Sequence, residues 1–272
     1  MIIVQLVGGL GNQLFQYATA RRLAHVHNTV LKLDISPFEK YTLHAYHLNN
    51  LNIIENITAV NDIEQITGNK GQVIREKTFN FDPEILHLSD NVYLQGYWQS
   101  EKYFADIKHI INEEFTVKHA LDSRNKEITD SINNCSSISL HIRRGDYINN
   151  PHTNSVHGTC RLEYYQRCFA KMVEAVPEPH FFVFSDDPEW AVENLKLDYP
   201  MTLIDHNGPE RDYEDLRLMS MCKHNITANS TFSWWGAWLN PNPDKLVFAP
   251  ERWFQNEKID TSDLIPANWQ KV

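Results

Sequence analysis

The sequence predicts an α/β protein of two lobes, on three observations. Short β-branched runs alternate with helical patterns, as they do when helices cover a parallel sheet. The alternation becomes cleaner beyond about residue 134. At 272 residues the chain exceeds the usual size of one domain, so lobes of roughly 100 to 150 residues each are expected. The boundary is predicted between an N-terminal lobe, 1–133, and a C-terminal lobe, 134–272, with a tail able to pack across both.

Ile2 to Val7 and Thr29 to Leu33 read as strands, and Leu10, Leu14, Tyr17 and Ala18 share one face of a helix between them. Residues 36–90 are irregular, because polar turns such as Asn49-Asn50 and Gly68-Asn69-Lys70-Gly71 interrupt short apolar runs, and the stretch is left unassigned. A strand resumes at Asn91 to Gln95. Glu101 to Lys118 reads as a helix with Tyr103, Phe104, Ile107, Ile110 and Ile111 facing inward, and a further helix covers 122–133. Strands then follow near Ser137 to Ile142, His180 to Ser185, Met201 to Ile204, Asn225 to Ala228 and Leu246 to Ala249.

Composition narrows the class. With 42% hydrophobic and 22% charged residues the chain is globular, not disordered or fibrous. A net charge of −10 argues against a broad nucleic-acid surface, so an anionic ligand must meet a local cationic site. The four cysteines, Cys135, Cys160, Cys168 and Cys222, contain no C-x-x-C pair and are expected to be reduced, mostly buried thiols. His25/His27 and His44/His47 lack the carboxylates of a zinc site. Residues 1–7 lack the basic leader of a signal peptide, and no apolar run of about 18 residues occurs, so a cytoplasmic protein without a membrane span is expected.

Four segments carry chemistry. Three of the ten glycines, Gly8, Gly9 and Gly11, sit between the first strand and first helix, where they open the backbone to a ligand or make a tight turn. A dinucleotide fingerprint there, with Asp34 as ribose ligand, lacks its third glycine at Leu14. In His141-Ile142-Arg143-Arg144-Gly145-Asp146-Tyr147, strand alternation turns His141 and Arg143 to one side and Ile142 and Arg144 to the other. Arg143 is thereby aimed at the ligand end of the sheet, where its planar fork suits a diphosphate, and Arg144 is left for a structural ion pair. An Arg143–Asp surface pair is the plain alternative.

Ser185-Asp186-Asp187 ends a strand, where its carboxylates either bind a nucleoside or cap the helix starting at Pro188. Asn229-Ser230-Thr231, followed by Phe232 and Ser233, puts hydroxyls at a helix start, a phosphate-binding arrangement, while Trp234, Trp235 and Trp238 read as core. No Asp-x-Asp is present to hold a divalent ion on a sugar nucleotide. No phosphate-loop, nucleophile-elbow or H-E-x-x-H motif supports a kinase, hydrolase or protease.

Together, GGLGNQLFQYA (8–18), HIRRGDY (141–147), SDD (185–187) and ANSTFSWWGAWL (228–239) resemble the bacterial α-1,2-fucosyltransferases of glycosyltransferase family 11. The resemblance implies two Rossmann-like lobes of GT-B type, an acceptor-side N-terminal lobe and a GDP-fucose-binding C-terminal lobe. It implies inverting, metal-independent transfer to the 2-hydroxyl of a terminal β-galactose, with no cofactor besides the donor GDP-fucose. Its partners would be small molecules and a glycan acceptor, including a lipid-linked one.

By position, Arg143 would hold the diphosphate, His141 and Asp186 the nucleoside, and Ser230, Thr231 and Ser233 would line the phosphates. Asn12 would face the reacting sugar, and Gly9, Gly11 and Asn229 would bind substrate. Asp146 and His157 both stand as the general base, Asp146 first. A fucosyltransferase of other linkage or acceptor, and a non-catalytic sugar- or nucleotide-binding protein, stay open.

Overall fold

In the computed structural model, which describes residues 1–40, 43–66, 68, 71–145, 151–196 and 198–272, the chain divides into two compact units. The first comprises Met1–Lys118 and Ile259–Pro266; the second comprises His119–Lys258 and Ala267–Val272. The division thus falls 15 residues before the predicted 133/134 boundary. The reason is the helix Ser123–Asn133, whose Ile128 and Ile132 join the second unit's core.

The first unit begins with β1 (Ile2–Gln5), whose Ile2, Ile3 and Val4 are fully buried. Helix α1 (Leu10–Val26) follows, and Leu10, Leu14, Tyr17 and Ala18 are buried in it as predicted. Its C-terminus is a Schellman stop: Asn28 takes φ 47° just past the cap, with Asn28 N–H bonded to His25 O and Thr29 N–H to Ala24 O.

Next come β2 (Leu31–Asp34), α2 (Val60–Gln65), β3 (Gln72–Arg75), β4 (Val92–Gln95) and α3 (Lys108–Glu114). The strands form one parallel sheet in the order β2-β1-β4-β3. Strand β3 lies in the stretch that sequence left unassigned. The predicted helix 101–118 is broken into 3-10 turns, Glu101–Tyr103 and Ala105–Ile107, ahead of α3; of the residues expected to face inward, Tyr103, Phe104, Ile107 and Ile111 are buried and Ile110 is half-buried.

The second unit runs α4 (Ser123–Asn133), β5 (Ser136–Ile142), α5 (Pro151–His157), α6 (Leu162–Ala175), β6 (Pro179–Ser185) and α7 (Pro188–Asn194). It continues with β7 (Met201–Ile204), α8 (Asp212–Met221), β8 (His224–Ile226), α9 (Thr231–Trp238), β9 (Val247–Ala249) and a short β10 (Gln270–Lys271). All six strands are parallel, in the order β10-β9-β8-β5-β6-β7.

Alternation along β5 divides its side chains as predicted. Ile138, Leu140 and Ile142 join Phe181, Val183 and the buried face of α6 in one core layer. Phe182 and Phe184 belong to a second layer with α4 and α8. On β5 that second face is polar: Ser139 accepts from Asn225 Nδ2 at 2.7 Å, and His141 lies beside Phe232 with ring centroids 5.7 Å apart.

Asp215 on α8 sits in a network with Asn207, whose Nδ2 bonds its carboxylate at 2.6 Å; burial foremost, then Asp212 and Glu214, pushes its pKa from 3.8 up to about 7. A raised carboxyl pKa means that the folded state binds the proton more tightly, so stability falls as pH rises from about 4 to about 7. Asp215→Asn is therefore expected to gain on the order of 2 kcal/mol at pH 8 and nothing near pH 4, read from melting curves at both pH values.

Candidate active site

Ligands of open parallel sheets bind beyond the carboxyl ends of the strands, where strand order reverses. In the second unit the chain leaves β5 towards β6 and β7 on one side, while β8 and β9 lie on the other, so the reversal is between β5 and β8. The residues just past those two strands are Arg143 and Ala228 to Thr231. Two of the four sequence segments are thus brought to one switch point, and Ser185 to Asp187, past β6, adjoin them.

The two arginines after β5 part company. Arg143 Nε meets Asp186 Oδ2 at 3.2 Å, both side chains being 24% exposed. Arg144 turns the other way: its Nε meets Asp187 Oδ2 at 3.2 Å and its guanidinium lies 4.1 Å over the Trp190 ring. Asp187 also caps α7, accepting from Trp190 N–H at 3.2 Å. The structural ion pair expected of Arg144 and the capping alternative for Asp187 are both found.

Asp186, expected to contact the nucleoside, has protein partners on both oxygens. Its Oδ1 accepts from Arg144 N–H at 2.8 Å and its Oδ2 faces Arg143, so both oxygens serve the protein. Gly145 permits this approach, since a Cβ there would stand 3.0 Å from Oδ2. The carboxylate holds the loop after β5 and steers the Arg143 guanidinium. His141 is 4% exposed, and burial together with the Arg143 charge pushes its pKa down to about 3, so it is a neutral imidazole.

The strand-end after β8 also sorts into distinct jobs. Asn229, 3% exposed, donates from Nδ2 to the carbonyls of His157, Gly158 and Trp253 at 3.0 to 3.1 Å and accepts from the Cys160 thiol at 3.5 Å. It ties three loops together at the strand end where substrate binding was expected. Ser233 also has internal partners, accepting from Ala228 N–H and donating to Ser230 O, each at 3.2 Å.

Ser230 and Thr231 remain at the start of α9, whose first intrahelical bond runs from Trp234 N–H to Ser230 O. The amides of Thr231, Phe232 and Ser233 therefore precede the ladder, where an anion is favoured. Trp234, Trp235 and Trp238 are core, 3% exposed or less. Asp146 lies outside the described residues. His157 packs on Phe254 at 5.2 Å, and its carbonyl is held by Asn229.

In the first unit only Gly8 of the three leading glycines takes a left-handed backbone, φ 80°, and a Cβ there would stand 2.6 Å from Asn12 Nδ2. Gly9 is the extended N-cap of α1 with the His44 ring 3.5 Å from its would-be Cβ, and Gly11 is buried in the first turn. Asn12 Oδ1 accepts from Gln99 Nε2 at 3.0 Å. Gln13 and Gln16, which sequence did not single out, fasten the turn: Gln13 bonds Gly8 O, Ala45 O and His47 N–H, and Gln16 bonds Val7 N–H and Gly96 O. Asp34, the ribose candidate of the dinucleotide reading, is buried and accepts from Tyr93 Oη at 2.5 Å and Ser36 N–H.

Solved structures similar to the chain narrow this architecture to one class. The fucosyltransferase NodZ from Bradyrhizobium matches with a TM-score of 0.55 at 13% identity, covering 86% of this chain and 91% of that one. Arabidopsis thaliana FUT1, solved with GDP, matches at 0.53 and 12% identity over 95% of this chain and 72% of its own. At such identities the likeness carries the fold alone, and the fold is that of a GT-B glycosyltransferase.

Sequence comparison goes one step further. The chain belongs to glycosyl transferase family 11, whose model matches residues 1–272. The alpha-1,2-colitosyltransferase of Escherichia coli is 35% identical over 100% of this chain and 99% of that protein. The Escherichia coli O-antigen biosynthesis glycosyltransferase WbnK is 34% identical, covering 97% and 98%. The galactoside alpha-(1,2)-fucosyltransferase 1 of Rattus norvegicus is 24% identical over 85% of this chain and 61% of that one. Among the described residues no helix is long and apolar enough to cross a membrane.

Proposed function

We propose that the chain transfers L-fucose from GDP-β-L-fucose, with inversion and without a metal ion, to the 2-hydroxyl of a terminal β-galactose, acting in the cytoplasm on a glycan that includes lipid-linked forms. The observation that carries this reading is that Arg143 and the start of α9 follow the carboxyl ends of two adjacent strands, β5 and β8, at the switch point. The α-1,2 linkage named for the colitosyl and galactoside fucosyl relatives supports the hydroxyl.

In this mechanism the acceptor 2-oxygen attacks the anomeric carbon as the bond to the diphosphate breaks, and the hydroxyl proton passes to the base, Asp146 ahead of His157. Negative charge grows on the departing GDP, and Arg143, Ser230, Thr231 and the first amides of α9 stabilise it. Neutral His141 contributes a hydrogen-bonding edge to the nucleoside without competing for the phosphate charge.

A second donor has a specific observation behind it. The relative at 35% identity is named for colitose, which is L-fucose without its 3-hydroxyl. The test is incubation of the purified chain with GDP-fucose or GDP-colitose and lactose, with and without EDTA, followed by linkage analysis. An α-1,2-linked fucosyl-lactose formed equally with EDTA is expected. A product only from GDP-colitose overturns the donor, loss with EDTA overturns metal independence, and no product from any β-galactoside overturns the reaction.

A further inference from the structure

The first unit has a switch point of its own. Its chain passes from β1 to β2 on one side, and β4 and β3 lie on the other, so strand order reverses between β1 and β4. Beyond the carboxyl ends of these strands lies an open cavity of about 390 Å³, lined by Val7 and Gly8 after β1, Pro37 and Lys40 after β2, and Tyr97 after β4. The volume is in the range of small-ligand sites. Its lining is carbon-rich, with one ammonium and one aromatic face.

Tyr97 is held out in an unusual way. It is 37% exposed and stacks on Phe79 with ring planes 8° apart. The next residue, Trp98, is buried and has φ 56°, a left-handed conformation that is costly for a bulky side chain. Such strain persists only where the surroundings over-determine it. Here Glu76, just past β3, accepts from Tyr97 N–H at 2.6 Å and from Trp98 N–H at 2.9 Å. Gln16 grips Gly96 O, and Asn12 accepts from Gln99 Nε2. Gly96 admits the clamp, because a Cβ there would overlap the Glu76 side chain.

We infer that this cavity takes the terminal sugar ring of the acceptor, with its C–H face on Tyr97 and its hydroxyls towards Lys40, and that Glu76 is the positioning residue that fixes the Tyr97 ring. The inference rests on the transfer reaction proposed above for its choice of ligand. A neutral pyranose suits the lining: a flat apolar face needs an aromatic partner, and the close approach at Gly8 needs no side chain there. A nucleoside diphosphate is a poorer fit to a site whose lining, among the described residues, has one ammonium and no guanidinium.

The test uses the full chain with Tyr97→Ala, Tyr97→Phe and Glu76→Gln. Steady-state kinetics with GDP-fucose and lactose are read beside saturation-transfer NMR of lactose binding without donor. Tyr97→Ala is expected to raise the lactose KM about tenfold or more and to abolish the saturation-transfer signal, leaving the GDP-fucose KM within about twofold. Tyr97→Phe keeps the ring and restores most of the lactose affinity. Glu76→Gln keeps one carbonyl oxygen for the two amides and places an NH₂ against the other, so it raises the lactose KM with little change in kcat.

Wild-type lactose KM and NMR signal in Tyr97→Ala, in an active enzyme, overturns the site while leaving the reaction intact. Lactose binding lost in Tyr97→Ala, from a wild-type chain that turns nothing over, overturns the reaction and leaves the site. Absence of lactose binding by the wild-type chain overturns the site's assignment to a β-galactoside.

Discussion

Arg143→Lys is expected to lower kcat roughly a hundred- to a thousandfold, the range seen when one preorganised donor to a developing anion is lost. The charge survives the substitution; the fork does not. A guanidinium can keep Asp186 against its Nε edge while another edge faces phosphate oxygens, whereas an ammonium is a single point that must choose between them. The melting temperature should stay near that of the wild type, because Arg143 is partly exposed and contributes to no core layer. Kinetics with GDP-fucose and lactose, beside calorimetric titration of GDP, separate lost binding from lost turnover. Turnover at the wild-type rate would remove Arg143 from the mechanism.

Asn229→Ala should give the largest loss of stability among the site residues. It removes the two N–H donors shared among the carbonyls of His157, Gly158 and Trp253 around a side chain 3% exposed, and leaves the Cys160 thiol without its Asn229 acceptor. Stranded buried groups cost about 1 to 3 kcal/mol each, and partial relaxation brings the sum to about 3 to 5 kcal/mol. For a chain of this size that is a fall of about 6 to 15 °C in Tm. Asn229→Asp is worse, since it points a carboxylate at three carbonyl oxygens. Scanning calorimetry decides the matter: a Tm within about 2 °C of wild type in both variants would mean that the three loops are held by something else.

What could be read in the sequence was whatever a short-range pattern dictates. Period-two alternation on β5 separated Arg143 from Arg144, and the Asp187-Pro188 pair marked a capped helix start. Hydroxyls at 230 and 231 lie where the helix was expected to begin. Satisfaction of polar groups was not readable, because it is decided by residues far away in the chain. No local pattern announces Arg144 N–H and Arg143 on the two oxygens of Asp186, or the three carbonyls around Asn229, 24 to 72 residues away. The same holds for Glu76: β3 is four residues long and has no fully buried residue, so its pattern is too weak to announce the carboxylate that clamps Tyr97. Similarly, the helix expected over 101–118 breaks at Phe104, whose φ of −143° is not helical, and the turn Glu101–Tyr103 ahead of it is capped by Ser100, whose hydroxyl is itself tied to Asp263 O.

That last contact belongs to the segment Ile259–Pro266, which adds to the first unit before the chain goes on to lay β10 beside β9 in the second. Asp263 there receives Phe81 N–H, Ser100 Oγ and the Lys102 ammonium. Neither unit is therefore a continuous stretch of polypeptide. A protein cut after residue 118 would yield a first half missing the partner of three of its own groups, and a deletion of the last 14 residues would injure both halves at once. During synthesis, too, neither half is complete until residues 259–272 have been made, so dissection into separately expressed pieces is the manipulation this chain should tolerate least.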